Sequence, residues 1–323
     1  MEANGGFAEA GVEAVFYDSK LDKDNIPTEA DADAISVFVD CGVDKSVLDK
    51  LPNLKFIATR STGYDHIDMV AAKERGIIVS SVPSYGENTV AEYAFALILA
   101  LSRKICDAKC QVKEEGSFSR DKLKGFDLRG KTLGVVGTGK IGRHVVRMAK
   151  GFEMEVVAFD AFPDLKFAAE AGFMYLPLED VLAKSDILTL HVPYMKETHH
   201  LINSGNIRQM KKGAYLVNTA RGAVVETEAL VNALKDGWLA GAGLDVLEEE
   251  GVIEDEVNLL AGGKLEGHDL RVVLENHVLI DMPNVIITPH NAFNSQEGLQ
   301  RILNTTTENI KGFVAGQPIN IVK

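Results

Sequence analysis

Short runs of apolar, often β-branched residues alternate with stretches of helical period over the second half of the chain. The apolar runs lie at residues 132–136, 155–159, 186–192, 214–219, 241–246 and 284–289. Between the first two runs, apolar side chains repeat at the spacing of one helix face: Ile141, Val145, Met148, Ala149 and Phe152. Continuous apolar strands joined by helices are typical of a parallel sheet covered on both faces. The pattern predicts a doubly wound α/β domain.

The first hundred residues carry the same pattern on a smaller scale. Apolar runs at residues 12–17, 34–39, 54–60 and 76–82 predict four strands with helical connections. One long apolar helix is predicted over about residues 88–109, and another helix over about residues 295–314, beyond the sixth strand of the second half. We therefore predict two doubly wound, Rossmann-like domains. The first is discontinuous and comprises residues 1–100 and 296–323, and the second comprises residues 101–295.

The length and charge of the chain limit the classes of protein to which it can belong. Its 323 residues are enough for two cores, and a net charge of −13 argues against a nucleic-acid surface, which needs clustered Lys and Arg. The most apolar stretch, residues 94–101, is too short to span a bilayer, and no secretory signal opens the chain. The three cysteines show neither a disulfide framework nor zinc-site spacing. We expect a cytoplasmic protein without a membrane, nucleic-acid or metal partner.

A glycine-rich turn follows the first strand of the second half. In "VVGTGKIG", Gly137, Gly139 and Gly142 have the G-x-G-x-x-G spacing, with Lys140 and Ile141 between the last two. The first glycine allows a tight turn, the second lets the main chain approach a pyrophosphate, and the third lets helix and strand pack closely. The N-terminus of the following helix offers unpaired N–H groups to phosphates. The turn predicts a dinucleotide site.

Asp160 ends the next strand, where dinucleotide-binding folds carry an acid. A carboxylate there can accept hydrogen bonds from both ribose hydroxyls of NAD, and it repels the 2′-phosphate of NADP. The two residues that follow, Ala161 and Phe162, offer no cation to that phosphate. The structural alternative for Asp160 is a helix cap or a solvated turn. In register with the strand and the glycines, it favours NAD as the cofactor, which makes the second domain the NAD-binding domain.

Three polar groups follow strands of the second half, at the sheet edge where open α/β folds carry their chemistry. Arg221 follows "LVNTA", an acid run begins at Glu248 after "GLDVL", and His290 follows "VIITP". Reduction of a 2-oxo acid can use all three. A guanidinium holds the substrate carboxylate in planar geometry, and an imidazolium donates a proton as hydride arrives. A neighbouring carboxylate favours the imidazolium form.

The chain resembles the D-isomer-specific 2-hydroxyacid dehydrogenases, and the D-lactate dehydrogenases among them most closely. The likeness covers almost the whole chain. Its motifs, in order, are "RSTGYDHIDMVAAKERGI", "VPSYGENTVAEYAFALIL", "LGVVGTGKIG", "LHVPYMKETHHLIN", "VNTARGAVVETEALVNAL", "AGLDVLEEE" and "VIITPHNAF". So many motifs in order are specific to the family, though less so to one substrate.

The resemblance implies that Arg221, Glu250 and His290 are the catalytic set. Glu250 comes from aligning Asp245 with the family's aspartate, five residues before its catalytic glutamate. Glu248 and Glu249 would then be solvated members of the acid run, which continues in Glu254, Asp255 and Glu256. A solvated face is the ordinary fate of such a run.

Further contacts are implied by the same resemblance. The main chain around Thr62 and Gly63 would bind the substrate carboxylate, while Tyr85 and Phe293 would line the substrate pocket or, equally well from the sequence, belong to the core. The first domain would thus be the substrate domain. Residues expected beside the nicotinamide are Thr219, Ala220 and Asp245. Residues expected beside a cofactor ribose are His191, Val192 and Pro193.

The activity implied is reversible, NADH-dependent reduction of pyruvate to D-lactate, with His290 as proton donor. Related acids stay open as preferred substrates, among them 2-oxoisocaproate, phenylpyruvate and glyoxylate. A non-enzymatic, NAD-sensing interaction protein of the same family is the second hypothesis. We also expect a homodimer, because a helix over residues 94–101 would be apolar on all sides and need cover all round.

One departure from the family concerns the start of the chain. The family normally begins with a strand before the piece that matches "GVEAVFYDSK" (residues 11–20). The residues here, "MEANGGFAEA", are too polar and glycine-rich to supply it. Either that strand is missing or the chain starts late, and in both cases the catalytic set is unaffected.

Overall fold

The computed structural model describes residues 11–26, 31–251 and 269–322. The contacts divide the chain into two compact units, Met1–Tyr85 with Asn294–Lys323, and Gly86–Phe293. The first unit is discontinuous in sequence, and the second is one continuous segment. The division falls after Tyr85, rather than near residue 100 where the first domain was predicted to end. The acids Glu254, Asp255 and Glu256 lie outside the described residues.

A three-stranded parallel sheet forms the centre of the first unit. Its strands are β1 (Ala34–Val37), β2 (Phe56–Thr59) and β3 (Ile78–Ser80), in the order β1-β2-β3. Helices α1 (Lys45–Asp49) and α2 (Met69–Glu74) connect them. All four residues of β2 are buried, as expected for the central strand of a sheet with covered faces.

The predicted strand over residues 12–17 is absent from the structure. The segment is extended but is not in a strand, and Val15, Phe16 and Tyr17 are exposed. An apolar run forms a strand only where its side chains become buried. Among the described residues, no layer covers these side chains. The strand expected before residue 11 concerns residues 1–10, which lie outside the described part of the chain.

The end of the chain returns to the first unit. Helix α10 (Gln296–Val314) begins after Ser295, whose side chain accepts from the N–H of Gly298 at 3.0 Å, as N-cap residues do. The Phe313 ring stacks on Phe56 of β2 with centroids 4.5 Å apart. Asn309 Nδ2 donates to the carbonyl of Ser81 at 2.9 Å. These contacts join the last residues to the sheet of the first unit.

The second unit is built on a seven-stranded sheet in which all neighbouring strands are parallel. The order is β10-β9-β8-β7-β4-β5-β6. The strands are β4 (Thr132–Val136), β5 (Glu155–Phe159), β6 (Met174–Tyr175), β7 (Ile187–Leu190), β8 (Ala214–Asn218), β9 (Leu239–Leu244) and β10 (Val285–Ile287). The predicted fold class, α/β with a Rossmann-type domain, is confirmed. Only β6, a two-residue edge strand, was not predicted.

Helices cover both faces of this sheet. Those of the second unit are α3 (Glu87–Arg103), α4 (Ile105–Lys113), α5 (Lys140–Gly151), α6 (Leu165–Ala171), α7 (Leu178–Lys184), α8 (Thr227–Lys235) and α9 (Leu270–Asp281). Among the described residues, no helix has both the length and the apolar character needed to cross a membrane.

The apolar helix predicted over residues 88–109 is two helices. Lys104 adopts a left-handed conformation (φ 55°) and separates α3 from α4. Gly243 of β9 explains the close packing of α3 on the sheet, because a Cβ at this glycine would lie 3.1 Å from Leu97 Cβ. This packing is why α3 belongs to the second unit, and why the division of the chain precedes it.

Candidate active site

The predicted glycine turn joins β4 to α5. Gly137 has φ +91°, and a Cβ added there would lie 2.7 Å from the carbonyl oxygen of His191. A Cβ on Gly142 would lie 2.0 Å from the carbonyl oxygen of Gly137. Gly139, in contrast, has no described atom within 4 Å of an added Cβ. The first and third glycines thus allow close packing, and the second leaves open space at the N-terminus of α5.

The two other residues of the motif begin α5. Lys140 Nζ lies 3.6 Å from Glu87 Oε1 and forms an ion pair with this acid at the start of α3. Ile141 is part-buried and packs against the core beneath the turn. Its role in the described structure is therefore to support the turn.

Asp160 follows β5 and bonds to the glycine turn. Its Oδ2 accepts from the N–H of Thr138 at 2.6 Å and from the Thr138 hydroxyl at 2.9 Å. Its Oδ1 accepts from the N–H of Phe162 at 2.9 Å. The Tyr175 hydroxyl lies 2.7 Å from Thr138 Oγ1 and completes the cluster. Asp160 thus holds the glycine turn from the strand end predicted to face the cofactor ribose.

His191, Val192 and Pro193 follow β7 beside the glycine turn. The His191 carbonyl and a Val192 methyl are what an added Cβ on Gly137 would meet. His191 Nε2 lies 2.9 Å from Thr189 Oγ1. The residue as a whole is only part-buried, but its Nδ1 is inaccessible to solvent, and desolvation of the imidazole lowers the pKa of His191 to about 3. The imidazole is therefore neutral at physiological pH.

Asn218, the last residue of β8, organises the turn that carries Arg221. Its Nδ2 donates to the Arg221 carbonyl at 2.8 Å, and its Oδ1 accepts from the N–H of Ala220 at 3.0 Å. Its own carbonyl accepts from the N–H of Asp245 at 2.9 Å, which ties the turn to the end of β9. Arg221 Nη1 donates to the Ala220 carbonyl at 2.8 Å. Thr219, beside them, is buried.

Asp245 holds the loop that carries His290. The carboxylate is buried and accepts from Thr288 Oγ1 at 2.6 Å, from the N–H of Asn291 at 2.8 Å and from the N–H of Ala292 at 2.8 Å. Burial raises the pKa of this carboxyl, and the hydrogen bonds oppose the rise. The Asp245 carbonyl also accepts from the N–H of His290 at 2.8 Å. The residue predicted beside the nicotinamide thus also shapes the histidine loop.

His290 and Glu250 are in contact. His290 Nδ1 lies 2.7 Å from Glu250 Oε1. An ionised carboxylate can only accept, so Nδ1–H is the donor, and Nε2 is the nitrogen left for another partner. Glu250 Oε2 accepts from the N–H of Leu247 at 3.2 Å. Because β8, β9 and β10 are neighbours in one parallel sheet, Arg221, Glu250 and His290 all follow strands at the same edge.

The prediction that Glu248 is solvated is wrong. Only 11% of its side chain is exposed. Glu248 Oε1 lies 2.7 Å from His200 Nε2, and Oε2 accepts from the N–H of Thr227 at 3.0 Å and from its hydroxyl. A carboxylate is buried only where donors replace water, and the charge pattern of the sequence could not reveal these donors. Glu249 is part-buried, with φ +52°.

The predicted substrate residues are divided between the two units. Thr62, Gly63 and Tyr85 belong to the first, and Phe293 ends the second. Thr62 Oγ1 donates to the Val82 carbonyl at 2.7 Å. The Gly63 carbonyl accepts from Ser61 Oγ at 2.6 Å, and the Tyr85 carbonyl accepts from Arg301 Nε at 2.6 Å.

Comparison with known proteins identifies the family to which the chain belongs. Residues 95–292 match the model of the D-isomer specific 2-hydroxyacid dehydrogenase, NAD binding domain. The chain belongs to this family. The homologues are NAD-dependent oxidoreductases that act on 2-hydroxy acids, so the enzyme assignment and the NAD cofactor are confirmed.

Relatives of this dehydrogenase act on more than one acid. A glyoxylate reductase of Korarchaeum cryptofilum is 38% identical over 296 residues, covering 90% of this chain and 83% of that protein. A D-lactate dehydrogenase of Escherichia coli is 36% identical over 311 residues, covering 95% and 91%. A crystal structure of D-lactate dehydrogenase from Aquifex aeolicus, complexed with NAD and lactic acid, has 38% identity and a TM-score of 0.86, covering 98% and 93%. The family does not decide the substrate.

Two observations in the described residues of the dehydrogenase fit an NAD site. Gly139 leaves open space at the N-terminus of α5, where a pyrophosphate is bound in such folds. His191 Nδ1 and Thr219 Oγ1 are buried polar atoms without a hydrogen-bond partner among the described residues. Native structures rarely leave such atoms unsatisfied unless a ligand or water completes them. Both residues were predicted to lie beside the cofactor. The described residues contain no group of three or more side chains placed to hold a metal ion.

Several residues that organise this dehydrogenase site were not predicted from the sequence. They are Thr138 and Tyr175 beside Asp160, Asn218 beneath Arg221, and His200 and Thr227 around Glu248. All of them except Tyr175 stand inside motifs quoted in the sequence analysis, and Asn218 also stands at the end of a predicted strand. Their contacts with one another come from tertiary structure.

Proposed function

We propose that this dehydrogenase reduces pyruvate to D-lactate with NADH, with His290 as the proton donor. The observation that supports the proposal is the 2.7 Å contact between His290 Nδ1 and Glu250 Oε1, at the sheet edge where Arg221 follows a neighbouring strand. A carboxylate at this distance favours the imidazolium form and fixes the ring nitrogen that faces the substrate.

In the proposed reaction each side chain has a distinct task. Arg221 holds the substrate carboxylate and polarises the carbonyl, because its planar fork matches both oxygens. Glu250 holds the His290 ring by Nδ1, so that Nε2–H points to the carbonyl oxygen. The proton moves from Nε2 to this oxygen as the carbonyl carbon is reduced. The imidazole is left neutral, and a proton from water restores it.

The second unit provides the residues that would hold the cofactor. Gly137, Gly139 and Gly142, with Lys140 and Ile141, would receive the pyrophosphate at the start of α5, and Asp160 would accept from the ribose hydroxyls. The remaining cofactor contacts are proposed for His191, Val192, Pro193, Thr219, Ala220 and Asp245. When bound, NADH supplies the hydride, and NAD accepts it in the reverse direction.

The first unit, with Thr62, Gly63 and Tyr85, is proposed as the substrate domain, and Phe293 as a further lining residue. Pyruvate is the proposed substrate because the Escherichia coli and Aquifex aeolicus relatives are D-lactate dehydrogenases. Glyoxylate is the second candidate, because a 38% identical relative is a glyoxylate reductase. Phenylpyruvate and 2-oxoisocaproate are larger alternatives.

A substrate panel tests the proposal. Initial rates of NADH oxidation are measured with pyruvate, glyoxylate, hydroxypyruvate, phenylpyruvate and 2-oxoisocaproate, and kcat/KM is compared. We expect the highest value with pyruvate. A higher kcat/KM with glyoxylate would make glyoxylate, and not pyruvate, the preferred substrate. No NADH oxidation with any of the five acids would refute the proposed reaction.

We further propose a homodimer in a reducing, cytoplasmic setting. Helix α3 buries Ala94, Leu97 and Ile98 but leaves Ala96 exposed, and α4 has no buried residue, with Ile105 and Val112 exposed. A symmetric partner is the usual cover for such apolar side chains. All three cysteines are free thiols, and two are exposed, which suits a reducing compartment. Light scattering at micromolar concentration should give twice the mass of the chain, and the mass of one chain would refute the dimer.

A further inference from the structure

The Glu248 carboxylate is the junction of three segments that are distant in sequence. Its Oε1 is 2.7 Å from Nε2 of His200, in the loop after β7. Its Oε2 accepts from the N–H and the hydroxyl of Thr227, the first residue of α8. Only 11% of the side chain is exposed, whereas 44% of the Glu250 side chain is exposed. Within the acid run, Glu248 is held by the fold far more tightly than Glu250.

The partners of Glu248 are bonded to the turn that carries Arg221. The N–H of His200 donates to the Ala223 carbonyl at 2.8 Å, and the N–H of Ile202 donates to the Val224 carbonyl at 3.1 Å. Both acceptors lie in the single 3₁₀ turn Gly222–Val224, directly after Arg221. The loop of His200 and the turn of Arg221 therefore form one hydrogen-bonded piece.

The main chain of Glu248 leads to Glu250. The Glu248 carbonyl accepts from Asn276 Nδ2 at 2.6 Å, which fixes this point of the loop. Glu249 follows in a left-handed conformation, within a turn that separates the two glutamates. Glu250 then contacts His290 and the N–H of Leu247. With nearly half of its side chain exposed, Glu250 is held, among the described residues, by His290 and by the main chain of residues 247–249.

We infer that Glu248 is a positioning residue: together with His200 and Thr227, it clamps the loop that carries Glu250 to the turn that carries Arg221. The clamp holds Glu250 Oε1 at hydrogen-bond distance from His290 Nδ1. The inference rests on the proposed function, in which Arg221, Glu250 and His290 act on the 2-oxo acid. The competing explanation is a buried carboxylate that stabilises the fold without influencing the catalytic pair.

A double-mutant cycle separates the two explanations. Glu248→Ala should lower kcat/KM for the 2-oxo acid by about 10- to 100-fold, mainly through kcat, because a displacement near 1 Å of a catalytic group has this effect. In a Glu250→Gln background the same change should cost little more, because the clamp acts through Glu250. Losses that multiply in the double variant would overturn the inference.

Conservative variants and a matched control complete the test. Glu248→Gln should restore most of the activity, because its amide oxygen can accept from Thr227 while its NH₂ donates to His200 in the other tautomer. Glu197→Gln removes an exposed carboxylate from the turn before His200 and should leave kcat/KM unchanged. Where Glu248→Ala does not fold, Thr227→Val removes one donor from the clamp and should lower kcat/KM in the same direction. A Thr227→Val enzyme with unchanged kcat/KM would then overturn the inference.

A measurement that does not need turnover distinguishes this inference from the proposed function. The Nδ1 proton of His290, shared with a carboxylate, should give a far-downfield ¹H NMR signal in the cofactor-free protein, assigned by its loss in His290→Gln. The signal should disappear in Glu248→Ala and remain in Glu197→Gln. An unchanged signal in Glu248→Ala would overturn the clamp, whether or not the wild-type enzyme reduces any of the five acids.

Discussion

A methyl group at Gly222 should separate two parts of the catalytic site. A Cβ built there would lie 2.0 Å from the carbonyl carbon of Leu247, 2.2 Å from its oxygen and 2.3 Å from the nitrogen of Glu248. Carbon atoms in contact are about 3.5 Å apart, so the main chain must move by roughly 1.5 Å. No side chain can rotate to make this space, because all three atoms belong to the backbone. Either the turn after Arg221 or the loop before Glu250 must shift.

The expected loss of catalytic activity follows from this displacement. A misplacement of about 1 Å can reduce turnover by roughly 100-fold, which corresponds to about 2.7 kcal/mol of transition-state stabilisation. We expect Gly222→Ala to lower kcat/KM for the 2-oxo acid by this order. The Kd of NADH should change less than kcat/KM, because the glycine turn and Asp160 lie on other strands, and only the nicotinamide end of the cofactor is proposed to meet Thr219 and Ala220 beside the displaced turn.

Gly251→Ala is the matched control. It directly follows Glu250, its φ lies outside the left-handed region, and its Cβ would enter space that is open among the described residues. Both variants are compared with the wild type by steady-state NADH oxidation, by NADH fluorescence titration and by thermal unfolding. A Gly222→Ala enzyme within about threefold of the wild-type kcat/KM, with its fold intact, would refute the close contact on which the reasoning depends.

Three further predictions concern single side chains. The wild-type kcat/KM should be at least tens-fold higher with NADH than with NADPH, and Asp160→Ser should narrow this ratio, because a like-charge repulsion of a few kcal/mol is removed. Equal wild-type kcat/KM values for the two cofactors would contradict this. Arg221→Lys should lower kcat/KM in steady-state assays by the equivalent of several kcal/mol of transition-state stabilisation, because a point charge cannot hold carboxylate and carbonyl in a planar fork. A variant with near-normal kcat/KM would show that another residue binds the substrate carboxylate. Burial keeps the pKa of His191 at about 3 instead of 6.5, so only the unfolded chain takes up this proton. This contribution to the free energy of unfolding is complete above pH 6.5 and is lost at up to about 1.4 kcal/mol per pH unit as pH falls towards 3. Urea unfolding of the cofactor-free protein from pH 7.5 to 4.5 should show a smaller pH dependence for His191→Gln, and equal slopes would contradict the buried ring.

Strands of the second unit could be predicted where their apolar residues are consecutive. Residues 132–136 and 155–159 form strands with the predicted bounds, because both faces of a parallel sheet accept apolar side chains. Residues 12–17 are equally apolar but are not in a strand, since a strand also needs a neighbour and a covering layer. Met174–Tyr175 is too short for any periodicity to indicate it.

In the candidate site, residues that are close in sequence could be placed together from their spacing, whereas the long-range contacts of Glu248 could not be predicted. The glycine turn and Asp160 are close in sequence, and a known strand–turn–helix unit brings them together. The partners of Glu248 could not be found in this way. His200 and Glu248 are separated by 48 positions, and Glu248 and Glu250 look alike in a charge pattern. Only the packing of loops at the sheet edge determines which of the two is enclosed and which contacts His290.

The most direct test of the proposed reaction follows the hydride and the handedness of the product together. Pyruvate is incubated with NADH that carries deuterium at both C4 positions, and the lactate formed is analysed by chiral chromatography and mass spectrometry. We expect D-lactate with one deuterium at C2, and a loss of at least about 100-fold in its rate of formation with His290→Gln, because the proton donor is removed. L-lactate or a racemic product would contradict the proposed D-lactate reaction, and lactate without deuterium would contradict direct hydride transfer.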